Sequence, residues 1–222
     1  MGFNAEKHAE ILEELKPYQA GLVAVSKKKP AEDIMSAMAC GQSAFGENYV
    51  QELVEKKDLV PSGAQWHFIG HLQSNKVKMI APFVELIQSA DSFKLLREIN
   101  KEAIKNNRKI DCLIQVHIAA EETKTGFSAE ETESLMLFSE LSDLKNIRLR
   151  GLMGMASLTD NKQQIKQEFD GLRQLFTGCR MTAPDPAGFD ILSMGMSSDY
   201  KIALDCGSNL IRIGSALFGE RK

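Results

Sequence analysis

Three consecutive lysines, Lys27, Lys28 and Lys29, follow Ser26 and the apolar run Leu22 to Val25. A lysine that attacks an aldehyde must be neutral, and neighbouring cations or partial burial favour that state. If the extended geometry of the run persists, Lys27 and Lys29 share one face and Lys28 points the other way. Lys27 is then the nucleophile and Lys29 its cationic neighbour. The plainer reading is a solvated charge run closing a strand, so the surroundings must decide.

Two small-residue segments lie near the C-terminus, Gly195-Met196-Ser197-Ser198-Asp199 and Gly214-Ser215. Glycine lets a backbone approach an anion closely, and Ser197 and Ser215 add hydroxyl donors. Either segment alone is an ordinary turn. Between them, Arg212 sits inside the apolar run Leu210 to Ile213, where an unpaired charge is costly and a partner is required.

The elements that must position these residues alternate along the whole chain. Short β-type runs fit Leu22 to Val25, Ser43 to Gly46, Gln65 to Ile69, Phe83 to Ile87, Cys112 to Ile118, Ile147 to Met155, Asp190 to Met194 and Leu210 to Ile213. Helical periodicity predicts an opening helix over Phe3 to Tyr18, then segments from Pro30 to about Met38, from about Glu47, and from Leu72 to Ile80. Further helices carry Phe93, Leu96, Ile99 and Ala103; Leu135, Phe138 and Leu141; and Ile165, Phe169, Leu172 and Phe176. Ser128 and Glu131 are spaced as a capping box. Eight strands alternating with helices, without a linker or a second composition class, predict one (β/α)8 barrel over residues 1–222, with an extra N-terminal helix. An open doubly wound sheet is the alternative.

In such a barrel chemistry gathers at the C-terminal ends of the strands, and phosphate often binds after strands 7 and 8. Lys27 follows strand 1, and the two glycine–serine segments follow strands 7 and 8. That layout suits a phosphorylated aldehyde, of which pyridoxal 5'-phosphate (PLP) is the obvious example. Arg212 then has two readings: a structural salt bridge, or a guanidinium facing the pyridine nitrogen, where a cation disfavours protonation and weakens the ring as an electron sink.

Composition narrows the partners. With 43% hydrophobic and 26% charged residues and a formal net charge of −3, the chain reads as a cytoplasmic globular protein, with no basic footprint for nucleic acid. Its apolar runs fall short of the roughly 18 to 20 residues of a membrane span. Cys40, Cys112, Cys179 and Cys206 show no metal or redox spacing.

An ordered series of segments resembles the pyridoxal phosphate homeostasis protein family: Val25-Ser26-Lys27 with Lys29-Pro30, Phe45 to Gln51, Trp66 to Gly70, Leu72 to Lys76, Lys124-Thr125-Gly126, Arg150 to Met153, Gly195-Met196-Ser197 and Arg212-Ile213-Gly214. The resemblance implies the barrel of alanine racemase, fold type III among PLP proteins. It implies a Schiff base on Lys27, Arg212 at the pyridine nitrogen, and Ser197, Gly214 and Ser215 around the phosphate, with Met196 also among the cofactor-binding residues. Asn48 would line the ring, and Lys29 and Lys124 would be accessory lysines. Ile211 stands where valine is common and Ser215 where threonine is common, which keeps the hydroxyl. The role implied is a monomeric carrier or buffer of PLP, serving PLP-requiring apoenzymes rather than catalysing a reaction.

Three other activities share part of this pattern. A PLP-dependent racemase shares the barrel, but the sequence ends three residues after Gly219, leaving no second β domain to bring an opposing acid/base tyrosine. Schiff-base aldolases usually carry their lysine on a middle or late strand, and Ile147 to Met155 has none. His67 and His71 are spaced four apart but lack the glutamate of a zinc protease motif, so no metal site is expected.

Overall fold

The structure, a computed structural model, describes residues 2–120 and 125–219. From the N-terminus the elements are α1 (Ala5–Leu15), β1 (Gly21–Val25), α2 (Ala31–Ala39), β2 (Ala44–Glu47), α3 (Val50–Leu59), β3 (Gln65–Phe68), α4 (Val77–Ile80) and β4 (Leu86–Ala90). They continue with α5 (Phe93–Lys105), β5 (Ile110–Val116), α6 (Ala129–Met136), β6 (Ile147–Gly154), α7 (Lys162–Thr182), β7 (Ile191–Ser193), α8 (Tyr200–Asp205), β8 (Leu210–Ile213) and α9 (Ser215–Phe218). The strands pair in sequence order, all parallel, and β8 returns to β1 to close the barrel. The expected closed barrel therefore forms, and the open doubly wound alternative does not.

Alternation along each strand divides the core. Leu22, Ala24, Ile211 and Ile213 join the large cluster beneath the helices, whereas Leu86, Leu113 and Met153 form a separate small cluster with Ile191 and Leu210 against it. Since Ile211 and Ile213 face outward, their neighbours Leu210 and Arg212 face the barrel interior. Apolar side chains thus fill the lower interior, and Arg212 lies one layer above Leu210, towards the mouth. In register, Arg212 stands beside Val23 on β1, four residues before Lys27.

Several boundaries moved. Strand β4 begins at Leu86 rather than Phe83, because Phe83 and Val84 close the turn after α4 with their N–H groups on the Ile80 carbonyl. Val84 is fully buried there, so an apolar turn imitates a strand. The Ser128–Glu131 capping box forms as expected, but α6 stops at Met136. Leu141 is buried in a separate 3-10 turn, and Phe138 meets Phe93 edge-on at 5.0 Å. The opening helix ends at Leu15, with a 3-10 turn over Lys16–Tyr18. Strand β2 runs on to Glu47, which delays α3 to Val50, and α8 was not anticipated. No helix among the described residues is long and apolar enough to cross a membrane.

Candidate functional site

β1 delivers Ser26 and Lys27 to the C-terminal mouth, where the chain turns sharply. The Lys29 N–H donates to the Ser26 carbonyl at 3.0 Å, and Lys28 adopts a left-handed φ of 60°. The extended geometry on which a shared face for Lys27 and Lys29 depended therefore ends at Lys27. Lys29 instead donates from Nζ to the Phe218 carbonyl at 2.6 Å, tying this turn to the last residue of α9. Lys27 is half-buried and faces a cavity of about 260 Å³.

That cavity gathers Lys27, Asn48, Met196, Ser197, Arg212, Gly214 and Ser215 in one wall, together with Val25, Ile69, Met155 and Ser198. Residues from strand ends 1, 2, 3, 6, 7 and 8 thus meet at one rim. Lys124 falls outside the described residues.

The loop after β7 is stitched from within. Asp199 Oδ1 accepts the Met196 N–H at 2.6 Å, and the Met196 carbonyl accepts from Asp199 and Tyr200. Gly195 has φ +98°, and a Cβ there would meet Ala203 at 2.7 Å, so this position requires glycine on two counts. The Gly195 carbonyl accepts the Arg212 N–H at 3.0 Å, which links the loop to β8. Gly214 and Ser215 open α9, whose first N–H groups have no carbonyl of a preceding turn to bond.

Asn48 is set by a different close approach. A Cβ on Gly70 would fall 2.2 Å from the Asn48 carbonyl oxygen, so the glycine after β3 lets the two strand ends pack. Asn48 Oδ1 is buried and has no hydrogen-bond partner among the described residues. An orphaned acceptor in a cavity wall is a place for a ligand donor.

Arg212 is buried, and its partners are neutral: Nη1 donates to Ser193 Oγ at 2.5 Å and Nη2 to the Gly154 carbonyl at 2.9 Å. The hydrogen bonds therefore go to neutral acceptors and not to the carboxylate of a structural salt bridge. Burial lowers its pKa to about 10, with nearby Asp199 acting in the opposite direction, so it stays charged at neutral pH. Behind it the Ser193 hydroxyl donates to Gln88 Oε1 at 2.7 Å, and the Gln88 amide bonds His67 Nδ1 at 3.0 Å. Burial pushes His67 down to about 4, which keeps its ring neutral. His71 pairs separately with Asp91 at 2.9 Å, so the two histidines do not converge.

Sequence reasoning missed Ser193, Gln88 and His67 as supports of Arg212. Their one signal was polarity inside otherwise apolar strands. Ile69 and Met155 carried none, since an apolar side chain at a strand end is ordinarily core, whereas Ser198 belongs to the small-residue segment expected after strand 7.

A barrel with a half-buried lysine after its first strand, a buried arginine on its last and glycine–serine loops between defines a class of cofactor-binding barrel. The chain belongs to the family described as "Alanine racemase, N-terminal domain", matched over residues 4–222. Within it, the chain belongs to the pyridoxal phosphate homeostasis proteins: it is 42% identical over 205 residues to the Pasteurella multocida protein of that name, covering 90% of this chain and 86% of the relative. The structure of PipY from Synechococcus elongatus, solved with PLP bound, superposes with a TM-score of 0.87 at 33% identity, covering 97% of this chain and 99% of PipY. Alanine racemase from Bartonella henselae shares the fold at a TM-score of 0.70 and 14% identity, with 99% of this chain covering 60% of the enzyme.

Proposed function

We propose that this protein, acting as one barrel domain, holds PLP through a Schiff base on Lys27 and stores, delivers or buffers it within PLP homeostasis. The observation that carries the reading is convergence: the lysine, the buried arginine and both glycine–serine loops line one cavity of about 260 Å³. When bound, PLP supplies an aldehyde that condenses with a lysine amine, releasing water, and a pyridine ring able to withdraw electrons. Ser197, Gly214 and Ser215 would receive the phosphate, with Met196 beside them. Asn48 Oδ1 would gain the donor it lacks.

Arg212 favours holding over turnover. A cation at the pyridine nitrogen opposes its protonation, so the ring stabilises carbanions poorly. Besides Lys27 and Arg212, the side chains that line the cavity among the described residues are apolar, amide or hydroxyl. None of these is a ready second acid or base for racemisation. PLP-requiring apoenzymes are the natural recipients of a cofactor held this way, and the working unit is a monomer.

Borohydride reduction followed by peptide mass spectrometry tests the anchor. A pyridoxyl adduct on Lys27 is expected. Its absence after incubation with excess PLP overturns the reading, and loss of optical rotation from pure alanine at the rate of dedicated racemases would replace carrier with enzyme.

A further inference from the structure

The two residues flanking Lys27 are fastened to opposite members of one ion pair. Lys56 on α3 donates from Nζ to the Ser26 carbonyl at 2.7 Å and to Glu52 Oε1 at 2.6 Å. That same Glu52 oxygen accepts the N–H of Lys28. Lys56 also reaches Glu47 Oε1 at 2.7 Å, which accepts the Ser26 hydroxyl at 2.7 Å. Lys56, Glu52 and Glu47 line no part of the cavity. They act on the turn that carries Lys27.

The turn needs such support. Lys28 is held at a left-handed φ of 60°, a conformation disfavoured for any residue with a Cβ. The side chain of Lys56 is only 7% exposed and that of Glu47 is fully buried. Ion pairs taken out of water repay their desolvation poorly as a source of stability, so the useful product of this one is geometry. Bonds to Ser26 and Lys28 fix the backbone on both sides of Lys27.

We propose that the Lys56–Glu52 pair is a positioning device: it holds the Ser26–Lys28 backbone so that the Lys27 amine stays aimed into the cavity, and so sets the rate of aldehyde capture. This rests on the reading of Lys27 as the PLP anchor. Glu52 is the residue to change, because its side chain is 21% exposed, whereas Lys56→Met would strand Glu47 as a buried unpaired carboxylate.

In the full chain, Glu52→Ala is expected to slow borohydride-trapped capture of PLP on Lys27 by about 10- to 100-fold, the usual consequence of a misplaced reacting group. Affinity for pyridoxine 5'-phosphate, which bears an alcohol in place of the aldehyde, should stay at the parental value. Glu52→Gln keeps an oxygen for the Lys28 N–H and should restore most of the rate. Capture by Glu52→Ala at the parental rate overturns the positioning role. So does a parallel loss of pyridoxine 5'-phosphate affinity, or a Glu52→Gln variant no faster than Glu52→Ala. A parent protein with no adduct on Lys27 instead overturns the site reading itself, and this proposal with it.

Discussion

Arg212 Nη1 lies 2.5 Å from Ser193 Oγ, and that hydroxyl donates in turn to Gln88 Oε1 at 2.7 Å. The guanidinium is thus fixed at the mouth by neutral hydrogen-bond acceptors, with the carboxylate of nearby Asp199 favouring its charged form. Arg212→Leu removes a buried charge along with its hydrogen bonds. Those two effects oppose each other, so the unfolding free energy should stay within about 1 kcal/mol of the parent, while PLP affinity in an absorbance titration should fall about tenfold. Collapse of stability without loss of affinity would make Arg212 a structural residue.

Lys27 contributes little packing, being half-buried at a strand end beside a turn that other residues hold. Lys27→Ala should abolish the borohydride-stable adduct yet shift the denaturant midpoint by less than about 0.5 kcal/mol equivalent, as substitutions outside the core usually do. Retention of the adduct on another lysine would move the anchor elsewhere.

The barrel was legible because β1 and β8 are nearly pure apolar runs and helices with regular apolar spacing separate the strands. Strand β4 was misplaced for a physical reason. Its residues Gln88 and Ser89 are polar yet fully buried, and Gln88 is polar because it supports Ser193 and His67. A rule that expects apolar strands slides towards Phe83 and Val84, which are apolar for the sake of a turn. The cavity wall was legible where glycine, serine and charge interrupt the strand ends, as at Ser197, Arg212 and Gly214. The role of Lys56 was not, since one lysine on α3 reads as solvated until the fold brings it against Ser26.

Asp199 closes the loop after β7 by accepting the Met196 N–H at 2.6 Å. Asp199→Ala removes that acceptor and frees the loop that presents Ser197. Affinity for PLP should fall about tenfold, the worth of a hydrogen bond to a charged group, whereas affinity for pyridoxal, which lacks the phosphate, should change little. Equal losses for both compounds would separate Asp199 from phosphate binding.

His67 makes stability depend on pH in a definite direction. In the folded chain burial lowers its pKa from 6.5 to about 4, so between those values the unfolded chain binds a proton that the folded chain does not. Stability on this account is complete above pH 6.5 and declines as pH falls towards 4, with a total on the order of 3 kcal/mol. His67→Gln offers Gln88 an acceptor that does not titrate. Urea midpoints measured from pH 7 to pH 4 should therefore fall less steeply for the variant than for the parent. The comparison cancels the contribution of Glu47, whose pKa is raised by burial against the pull of Lys56, because Glu47 is present in both proteins. Parallel slopes would mean that the His67 ring takes up its proton inside the folded barrel, and that its bond to Gln88 tolerates the charge.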